Sequence, residues 1–209
     1  MAIGTELSHL HRFVPAAAAG KAPILLLHGT GGDENDLLPL GQAVAPGAAL
    51  LSPRGKVLEG GMPRFFRRLA EGVFDEADVR RRAFELAGFV REAREAYALT
   101  APIAVGFSNG ANIAAAVLQL QPEVLAGAVL LRAMVPLREQ PHIDLAGKPI
   151  LILSGASDPI VPGDNASRLA AIFRSAGAAV DQRILPSGHN LTQADIAMTK
   201  SWLNQNYSG

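Results

Sequence analysis

A serine between two glycines, in the segment Gly106-Phe107-Ser108-Asn109-Gly110, has the setting that best fits covalent chemistry in this 209-residue chain. The segment joins an apolar, strand-like run, residues 102–107, to a helix-like run, residues 111–120. A serine on such a sharp turn presents its hydroxyl outside the sheet, and the flanking glycines let strand and helix approach closely. A glycine-rich turn without chemistry is the alternative, since G-x-S-x-G also occurs by chance. The position between strand and helix favours a nucleophile.

A serine hydroxyl is a weak nucleophile at neutral pH, so a histidine must take its proton and a carboxylate must orient that histidine. Where the serine follows a strand in this way, the acid and then the histidine come later in the chain. His189 lies in a turn after the strand-like residues 179–185, where it can reach over the carboxyl ends of the strands. We interpret His142 as a surface residue, and we assign His9 and His11 to an exposed first strand.

Asp158 is the predicted orienting carboxylate. It follows the continuous apolar run 149–155, which is typical of a buried parallel strand, and it opens the loop 158–162. Three other aspartates are alternatives: one in a polar connection, one at a helix N-cap, and one on a strand face that alternation turns towards solvent. These are Asp144, Asp164 and Asp181.

A serine that attacks an acyl group also needs backbone N–H groups that bind the negative oxygen of the tetrahedral intermediate. One predicted donor is the amide of Asn109, the residue after the serine. The second is Thr30, in the glycine-rich loop 28–33 that follows the apolar run 23–27. We expect His28 to support this loop rather than to react. A phosphate-binding loop is the competing interpretation, but the segment has neither G-K-[ST] nor G-x-G-x-x-G before a helix.

Strand-like and helix-like segments alternate along the chain, which predicts an α/β fold: a mostly parallel sheet with helices on both faces. The predicted strands are residues 8–14, 23–28, 48–52, 102–107, 126–132, 149–154 and 179–185. The predicted helices are residues 33–44, a segment capped by Asp75 and reaching Tyr97, and residues 110–120, 163–176 and 192–206. The length favours a single domain over residues 1–209, without a separate cap domain.

Residues 53–74 form a long connection without clear periodicity, which is typical of a functional loop. Its apolar side chains are candidates for the wall of an acyl or aryl pocket at the carboxyl edge of the sheet. An equally supported alternative is that its aromatics pack the loop onto the protein. Met134 is a further pocket candidate, although packing in the core is favoured for it. The candidates in the connection are Met62, Phe65, Phe66 and Phe74.

The composition gives limits on partners and location. The formal net charge is zero, so nothing favours nucleic acid or an anionic membrane as a partner. The basic cluster Arg64, Arg67 and Arg68 is interpreted as a solvated helix face. The chain has no cysteine, no apolar run of eighteen residues and no signal-like N-terminus, which together predict a cytoplasmic protein without membrane insertion. Neither a metal nor an organic cofactor is expected, and a homodimer is compatible with the neutral charge.

Four segments resemble the small α/β-hydrolases of the carboxylesterase and phospholipase group, which includes acyl-protein thioesterases. They are residues 27–29, 106–110, 154–162 and 187–189, and the resemblance extends from about residue 10 to 205. The thioesterase branch usually has Leu and Gln where this chain has Thr30 and Asn109. The segment 53–68 looks more like bacterial carboxylesterases associated with quinone-detoxification operons. Dienelactone hydrolases share the fold but have a cysteine nucleophile.

The resemblance implies an α/β-hydrolase fold and an esterase that acts on a small-molecule ester with a short to medium acyl, or an aryl, group. Ser108, Asp158 and His189 would be its catalytic residues. A thioesterase or a lysophospholipase is the alternative among enzymes. A non-catalytic protein that binds a small ligand on the same fold is the alternative from another class, and the presence of all three residues argues against it.

Overall fold

The computed structural model describes residues 7–139 and 142–207. The His11–Val14 strand, β1, lies at one edge of a seven-stranded sheet whose strand order is β1-β3-β2-β8-β9-β10-β11. Strand β1 pairs antiparallel with β3, and the other neighbours in this sheet pair parallel. The remaining strands are β2 (Ile24–Leu27), β3 (Leu50–Pro53), β4 (Val57–Glu59), β5 (Met62–Arg64), β6 (Arg68–Ala70), β7 (Val73–Phe74), β8 (Ile103–Phe107), β9 (Gly127–Leu131), β10 (Pro149–Gly155) and β11 (Ala179–Leu185).

Helices cover both faces of the sheet. They are α1 (Leu38–Val44), α2 (Glu76–Ala96), α3 (Asn109–Leu120), α4 (Gly163–Ser175) and α5 (Gln193–Tyr207). Alternate residues of a strand point to opposite faces, so Leu25 and Leu27 pack in the core beneath α2, α3 and α4. Ile24 and Leu26 pack in the other core, beneath α1 and α5. The predicted parallel sheet with helices on both faces is therefore confirmed.

The sequence suggested that residues 53–74 are an irregular connection. The structure instead shows two short antiparallel hairpins in this segment. Strands β4 and β5 are joined through Gly60 and Gly61, whose φ angles of 57° and 84° suit glycine. Strands β6 and β7 form the second hairpin. The basic cluster is accordingly not on a helix, and Arg64 is buried at 3% exposure. The prediction of a solvated helix face was wrong because strands of two or three residues are too short to show a period.

One helix start differs from the sequence prediction, and another agrees with it. Helix α1 begins at Leu38 rather than at residue 33, because the Asp33 carboxylate accepts a hydrogen bond from the Asn35 amide and forms a turn first. Helix α2 begins as predicted, since the Asp75 side chain accepts a hydrogen bond from the amide of Asp78 and caps it. In the described part of the chain, no helix has both the length and the apolar character that crossing a bilayer requires.

His9 is buried, contrary to the expectation that it belongs to an exposed strand. It precedes β1, is 6% exposed, and packs its ring against Phe89 of α2 with 4.8 Å between ring centroids. Burial, together with the nearby positive charges of Lys56 and Arg82, lowers the pKa of His9 from 6.5 to about 3. The folded protein therefore holds this imidazole in its neutral form.

This burial makes the stability of the protein depend on pH. Below about pH 6.5 the unfolded chain binds a proton at His9 that the folded chain does not bind until about pH 3. The contribution is thus fully present above pH 6.5 and is lost as the pH falls, by at most ~1.4 kcal/mol per pH unit. Between pH 7 and pH 4, we expect the melting temperature of the His9→Gln variant to fall less steeply with pH than that of the wild type. The exposed His142 supplies the control, His142→Gln; equal slopes in all three proteins would contradict the assignment.

Candidate active site

Ser108 lies on the turn between β8 and α3, with φ 51° and ψ −114°. This backbone conformation is rare for a residue with a side chain, and such residues cluster at functional sites. The packing around the turn leaves no space for larger residues. A Cβ on Gly106 would lie 2.6 Å from the carbonyl oxygen of Gly110, and one on Gly110 would lie 1.9 Å from that of Leu27. Both glycines thus allow α3 to pack against β8 and β2.

The structure brings together the three residues that the sequence predicts as a triad. The Nε2 atom of His189 lies 3.0 Å from the Ser108 hydroxyl oxygen. The Nδ1 atom of the same ring lies 2.8 Å from a carboxylate oxygen of Asp158. With Nδ1 protonated, the imidazole donates to Asp158 and its Nε2 accepts the serine proton. The arrangement is therefore that of a nucleophile, a base and an orienting acid.

The three alternative aspartates do not take part in this arrangement. Asp144 accepts a hydrogen bond from the amide of Ala146 in an exposed turn. Asp181 forms an ion pair with Arg183 on the edge strand β11. Asp164 is an exposed residue in the first turn of α4. Asp158 alone among the four lies in contact with His189.

The surroundings of Asp158 favour its ionised form. Its side chain is 1% exposed, and burial by itself raises the pKa of a carboxyl. The amides of Ile160 and Val161 nevertheless donate to one of its oxygens at 2.8 and 3.0 Å. These bonds and the one from His189 outweigh the burial, so the pKa of Asp158 lies below its usual value. A carboxylate that remains charged can stabilise a positively charged imidazole next to it.

Both predicted oxyanion donors lie in the pocket that contains Ser108. Within the described residues, the amides of Thr30 and Asn109 have no hydrogen-bond acceptor in the protein. The Thr30 side chain is held in place, because its hydroxyl accepts a hydrogen bond of 2.7 Å from Arg64. The Asn109 side chain accepts one from the amide of Phe65. The two N–H groups are thus left free for a ligand.

His28 supports the glycine-rich loop 28–33, as its position in the sequence suggested, and we name this segment the oxyanion loop after the predicted role of Thr30. Its Nδ1 donates to the carbonyl oxygen of Gly29 at 2.7 Å, and its Nε2 accepts from the amide of Gly55 at 3.0 Å. Burial lowers the pKa of His28 from its ordinary value, so the neutral ring that these two bonds require is favoured. Through these hydrogen bonds the ring connects the oxyanion loop to Gly55, just before the first hairpin.

The cavity around Ser108 has a volume of about 330 Å³. Two of the five predicted pocket residues, Phe74 and Met134, contribute to its wall. The full lining is Thr30, Arg64, Arg68, Glu71, Gly72, Phe74, Phe107, Ser108, Asn109, Asn112, Arg132, Met134, Ile160, Val161, His189 and Asn190. The lining thus combines apolar side chains with residues that carry guanidinium or carboxylate groups.

The other three predicted pocket residues do not line this cavity, which corrects the sequence prediction. Phe65 and Phe66 are 3% and 0% exposed and belong to the core. Phe65 packs against the ring of His28, and Phe66 packs edge-on against Phe74. Met62 is 45% exposed on the first hairpin. For the two phenylalanines, the alternative that aromatics pack the segment onto the protein is therefore the one observed.

Sequence reasoning missed two buried arginines beside the site. Arg64 donates to Thr30 in the oxyanion loop, and Arg132 contacts the loop that carries His189. The sequence offers one signal for Arg132, since it directly follows the apolar residues 127–131 at the edge of the sheet where Ser108 also lies. The burial of Arg64 has no comparable signal, because charged residues are mostly exposed.

Two other features of the described chain were candidates for a site, and neither has this chemistry. No cluster of three or more His, Asp or Glu side chains within residues 7–139 and 142–207 could hold a metal ion. A second cavity, of about 150 Å³, lies near Ile24 and Ile103, which begin β2 and β8, and thus at the opposite end of the strands from Ser108. Its polar lining consists of Lys21, Asn204 and Tyr207 with backbone groups, so it lacks a paired nucleophile and base.

Comparison with known proteins agrees with this geometry. The model of the phospholipase/carboxylesterase family matches residues 11–207. The putative hydrolase MhqD of Bacillus subtilis (strain 168) is 46% identical over 184 residues, which are 87% of this chain and 92% of that protein. The carboxylesterase of Bacillus cereus superimposes with a TM-score of 0.92 at 44% identity, covering 95% of this chain and 94% of the other.

A second carboxylesterase structure extends the similarity beyond Bacillus. The enzyme from Mesorhizobium loti is 34% identical and superimposes with a TM-score of 0.91, over 95% of this chain and 96% of the other. Family model, sequence relatives and solved structures all span nearly the whole chain. The chain therefore belongs to the phospholipase/carboxylesterase family, has the α/β-hydrolase fold and is a carboxylic ester hydrolase.

Proposed function

We propose that the protein is a serine carboxylesterase that cleaves short to medium acyl esters, or aryl esters, through an acyl-enzyme on Ser108. The observation that carries this proposal is the continuous hydrogen-bonded series from the Ser108 hydroxyl through His189 to Asp158. The geometry supports base-assisted attack by the serine, since 3.0 Å is within the reach of direct proton transfer.

In the first half of the reaction, the Ser108 oxygen attacks the ester carbonyl carbon while Nε2 of His189 takes the hydroxyl proton. The carbonyl oxygen becomes negative and accepts hydrogen bonds from the amides of Thr30 and Asn109. The imidazolium then gives its proton to the leaving alkoxy oxygen, the bond from carbon to that oxygen breaks, and the alcohol departs. The acyl group remains on Ser108.

In the second half, water attacks the acyl carbon while His189 takes one of the water protons. The same two amides bind the second oxyanion. The bond between the carbon and the Ser108 oxygen breaks, the serine recovers its proton from His189, and the carboxylic acid leaves. Asp158 keeps Nδ1 protonated throughout and stabilises the imidazolium in both halves.

The pocket supports the proposed range of substrates. A cavity of about 330 Å³ is at the low end for small-molecule sites and suits a short or medium acyl group. Phe74, Met134, Ile160 and Val161 supply its apolar wall. A thioesterase or lysophospholipase would use the same three residues, so activity profiles over oxygen esters, thioesters and lysolipids separate these alternatives. We also propose a cytoplasmic location, which a chain without cysteine fits.

The Ser108→Ala variant should lose turnover by about a thousandfold or more, because it lacks the attacking oxygen. Its melting temperature should stay close to that of the wild type, since only one hydroxyl is removed. Hydrolysis of an activated aryl ester and labelling by a fluorophosphonate measure the effect. Ser157, an exposed serine on the neighbouring loop, gives the control Ser157→Ala, which should remain active. Near-normal turnover by Ser108→Ala would refute the nucleophile.

The Asp158→Asn variant should reduce kcat by about 10⁴-fold, as in the serine protease triad, because an amide at this position favours the wrong imidazole tautomer. Asp144→Asn, Asp164→Asn and Asp181→Asn are matched controls that change the same functional group at residues without a hydrogen bond to His189. They should have nearly wild-type kcat. A larger loss in any control than in Asp158→Asn would move the orienting role to that residue.

Pocket residues and core residues should differ in their effects when truncated. Phe74→Ala and Met134→Ala remove apolar contacts with the substrate. For larger acyl or aryl groups, each should therefore lower kcat/KM by a factor that corresponds to roughly 1–3 kcal/mol of transition-state binding free energy, whereas acetyl esters should be affected little. Phe66→Ala opens a hole in the core and should instead cost about 3–5 kcal/mol of unfolding free energy. Rates over acetyl, butyryl, octanoyl and aryl esters, with melting temperatures, test this. A selective loss for long acyl groups in Phe66→Ala would contradict its assignment to the core.

A further inference from the structure

Arg132, the residue after β9, is charged and yet 0% exposed. Its guanidinium binds the carboxylate of Asp195 through two parallel hydrogen bonds, from Nη1 at 2.8 Å and from Nη2 at 2.9 Å. Asp195 lies in the first turn of α5 and also accepts hydrogen bonds from the amide and the hydroxyl of Thr192. The ion pair is therefore fixed to the start of that helix.

Apart from a hydrogen bond of 3.3 Å from Nη1 to the carbonyl oxygen of Leu153, the other side-chain donors of Arg132 contact the histidine loop, which we define as residues 186–190. Its Nε donates to the carbonyl oxygen of Gly188 at 3.0 Å, and its Nη2 approaches that of Asn190 at 3.2 Å. The Ser187 hydroxyl lies 3.1 Å from Nη2. The two carbonyl groups belong to the residues immediately before and after His189, so one rigid guanidinium holds the backbone on both sides of the imidazole.

The same segment of chain also holds the serine. The carbonyl oxygen of Leu131 accepts a hydrogen bond of 2.8 Å from the amide of Ser108. Arg132 itself has a φ of 58° and donates its amide to Leu153 of β10. Two consecutive residues thus contact Ser108 and the residues on either side of His189, Leu131 through its carbonyl group and Arg132 through its side chain.

We propose that Arg132 is a positioning residue for ester hydrolysis, which holds the histidine loop so that His189 stays within proton-transfer distance of Ser108. This inference rests on the proposed function, because it takes His189 as the base. A displacement of about 1 Å at such a group can reduce the rate by about 100-fold, so a rigid support is worth much more to kcat than to binding. Asp195 acts through Arg132, since it aligns the plane of the guanidinium.

The competing interpretation is an ion pair that only stabilises the fold. Arg132→Lys keeps the positive charge but replaces five donors in a fixed plane with three on one nitrogen, so it cannot reproduce the paired bonds to Asp195 together with those to Gly188 and Asn190. We expect kcat to fall by about 100-fold with little change in KM, measured well below the melting temperature of the variant. Arg82, which forms an ion pair with Asp78 on α2, gives the matched control Arg82→Lys with nearly wild-type kcat.

A variant without either charge separates positioning from stability. Arg132→Met combined with Asp195→Leu avoids an unpaired buried charge, and such replacements are often neutral or stabilising. We expect the melting temperature to return towards that of the wild type while kcat remains reduced. Recovery of kcat together with the melting temperature would overturn the proposal.

The positioning role can also be tested by comparing the effect of Arg132→Lys in the wild type and in the His189→Ala variant. In the His189→Ala background there is no imidazole to position, so adding Arg132→Lys should not lower the residual hydrolysis further. The same fold loss in both backgrounds would also overturn the proposal. If His189→Ala itself keeps normal turnover, the proposed function fails. If His189→Ala is inactive but Arg132→Lys is fully active, only the positioning role of Arg132 fails.

Discussion

The unusual backbone of Ser108, with φ 51° and ψ −114°, is the constraint on which the rest of the site depends. Such a conformation costs about 1–3 kcal/mol and persists only when the surrounding structure holds it. Here the support comes from the close packing of α3 against β2, where Gly110 meets the backbone of Leu27. The packing of a helix against the sheet thus holds the backbone of Ser108 at the point where β8 ends.

The other groups of the site reach Ser108 because parallel strands end at one edge of the sheet. The oxyanion loop follows β2, Asp158 follows β10, and His189 follows β11. Gly155 lets two of these loops touch, since a Cβ there would lie 2.3 Å from the carbonyl oxygen of Gly188. The amide of Ser157 also donates to the carbonyl oxygen of Ser187. The contact between acid and histidine is therefore built from backbone hydrogen bonds between loops, not only from the two side chains.

The three residues predicted as a triad are ones that the structure brings into contact, and their prediction depended on order and local pattern. The serine turn has a local signature, and Asp158 and His189 follow from their places after apolar strands. The pocket could not be predicted in the same way. Phe66 lies between the two hairpins, and Phe74 ends β7, a strand of two residues, so no alternation shows that Phe66 packs in the core while Phe74 lines the cavity. Burial there is decided by contacts with distant parts of the chain.

The two buried arginines are another feature that local sequence could not predict, here because their partners are distant in the chain. Arg64 contacts Thr30, 34 residues away, and Arg132 contacts Asp195, 63 residues away, so neither pairing can be read from local sequence. A charge normally stays at the surface because removing it from water costs several kcal/mol unless its donors find partners. A guanidinium has five donors in a fixed plane and can meet that condition while it joins separate segments.

The two arginines bond to different loops of the site. Arg64 bonds to the loop that carries the Thr30 amide, and Arg132 bonds to the loop that carries the imidazole. Both residues are among those that line the cavity around Ser108, yet their side chains are almost fully buried, at 3% and 0% exposure. Each guanidinium also faces a carboxylate, Glu59 for Arg64 and Asp195 for Arg132, so its positive charge is compensated within the protein. In the proposed reaction the two arginines therefore hold the loops in place, and the negative oxygen depends on the backbone amides of Thr30 and Asn109.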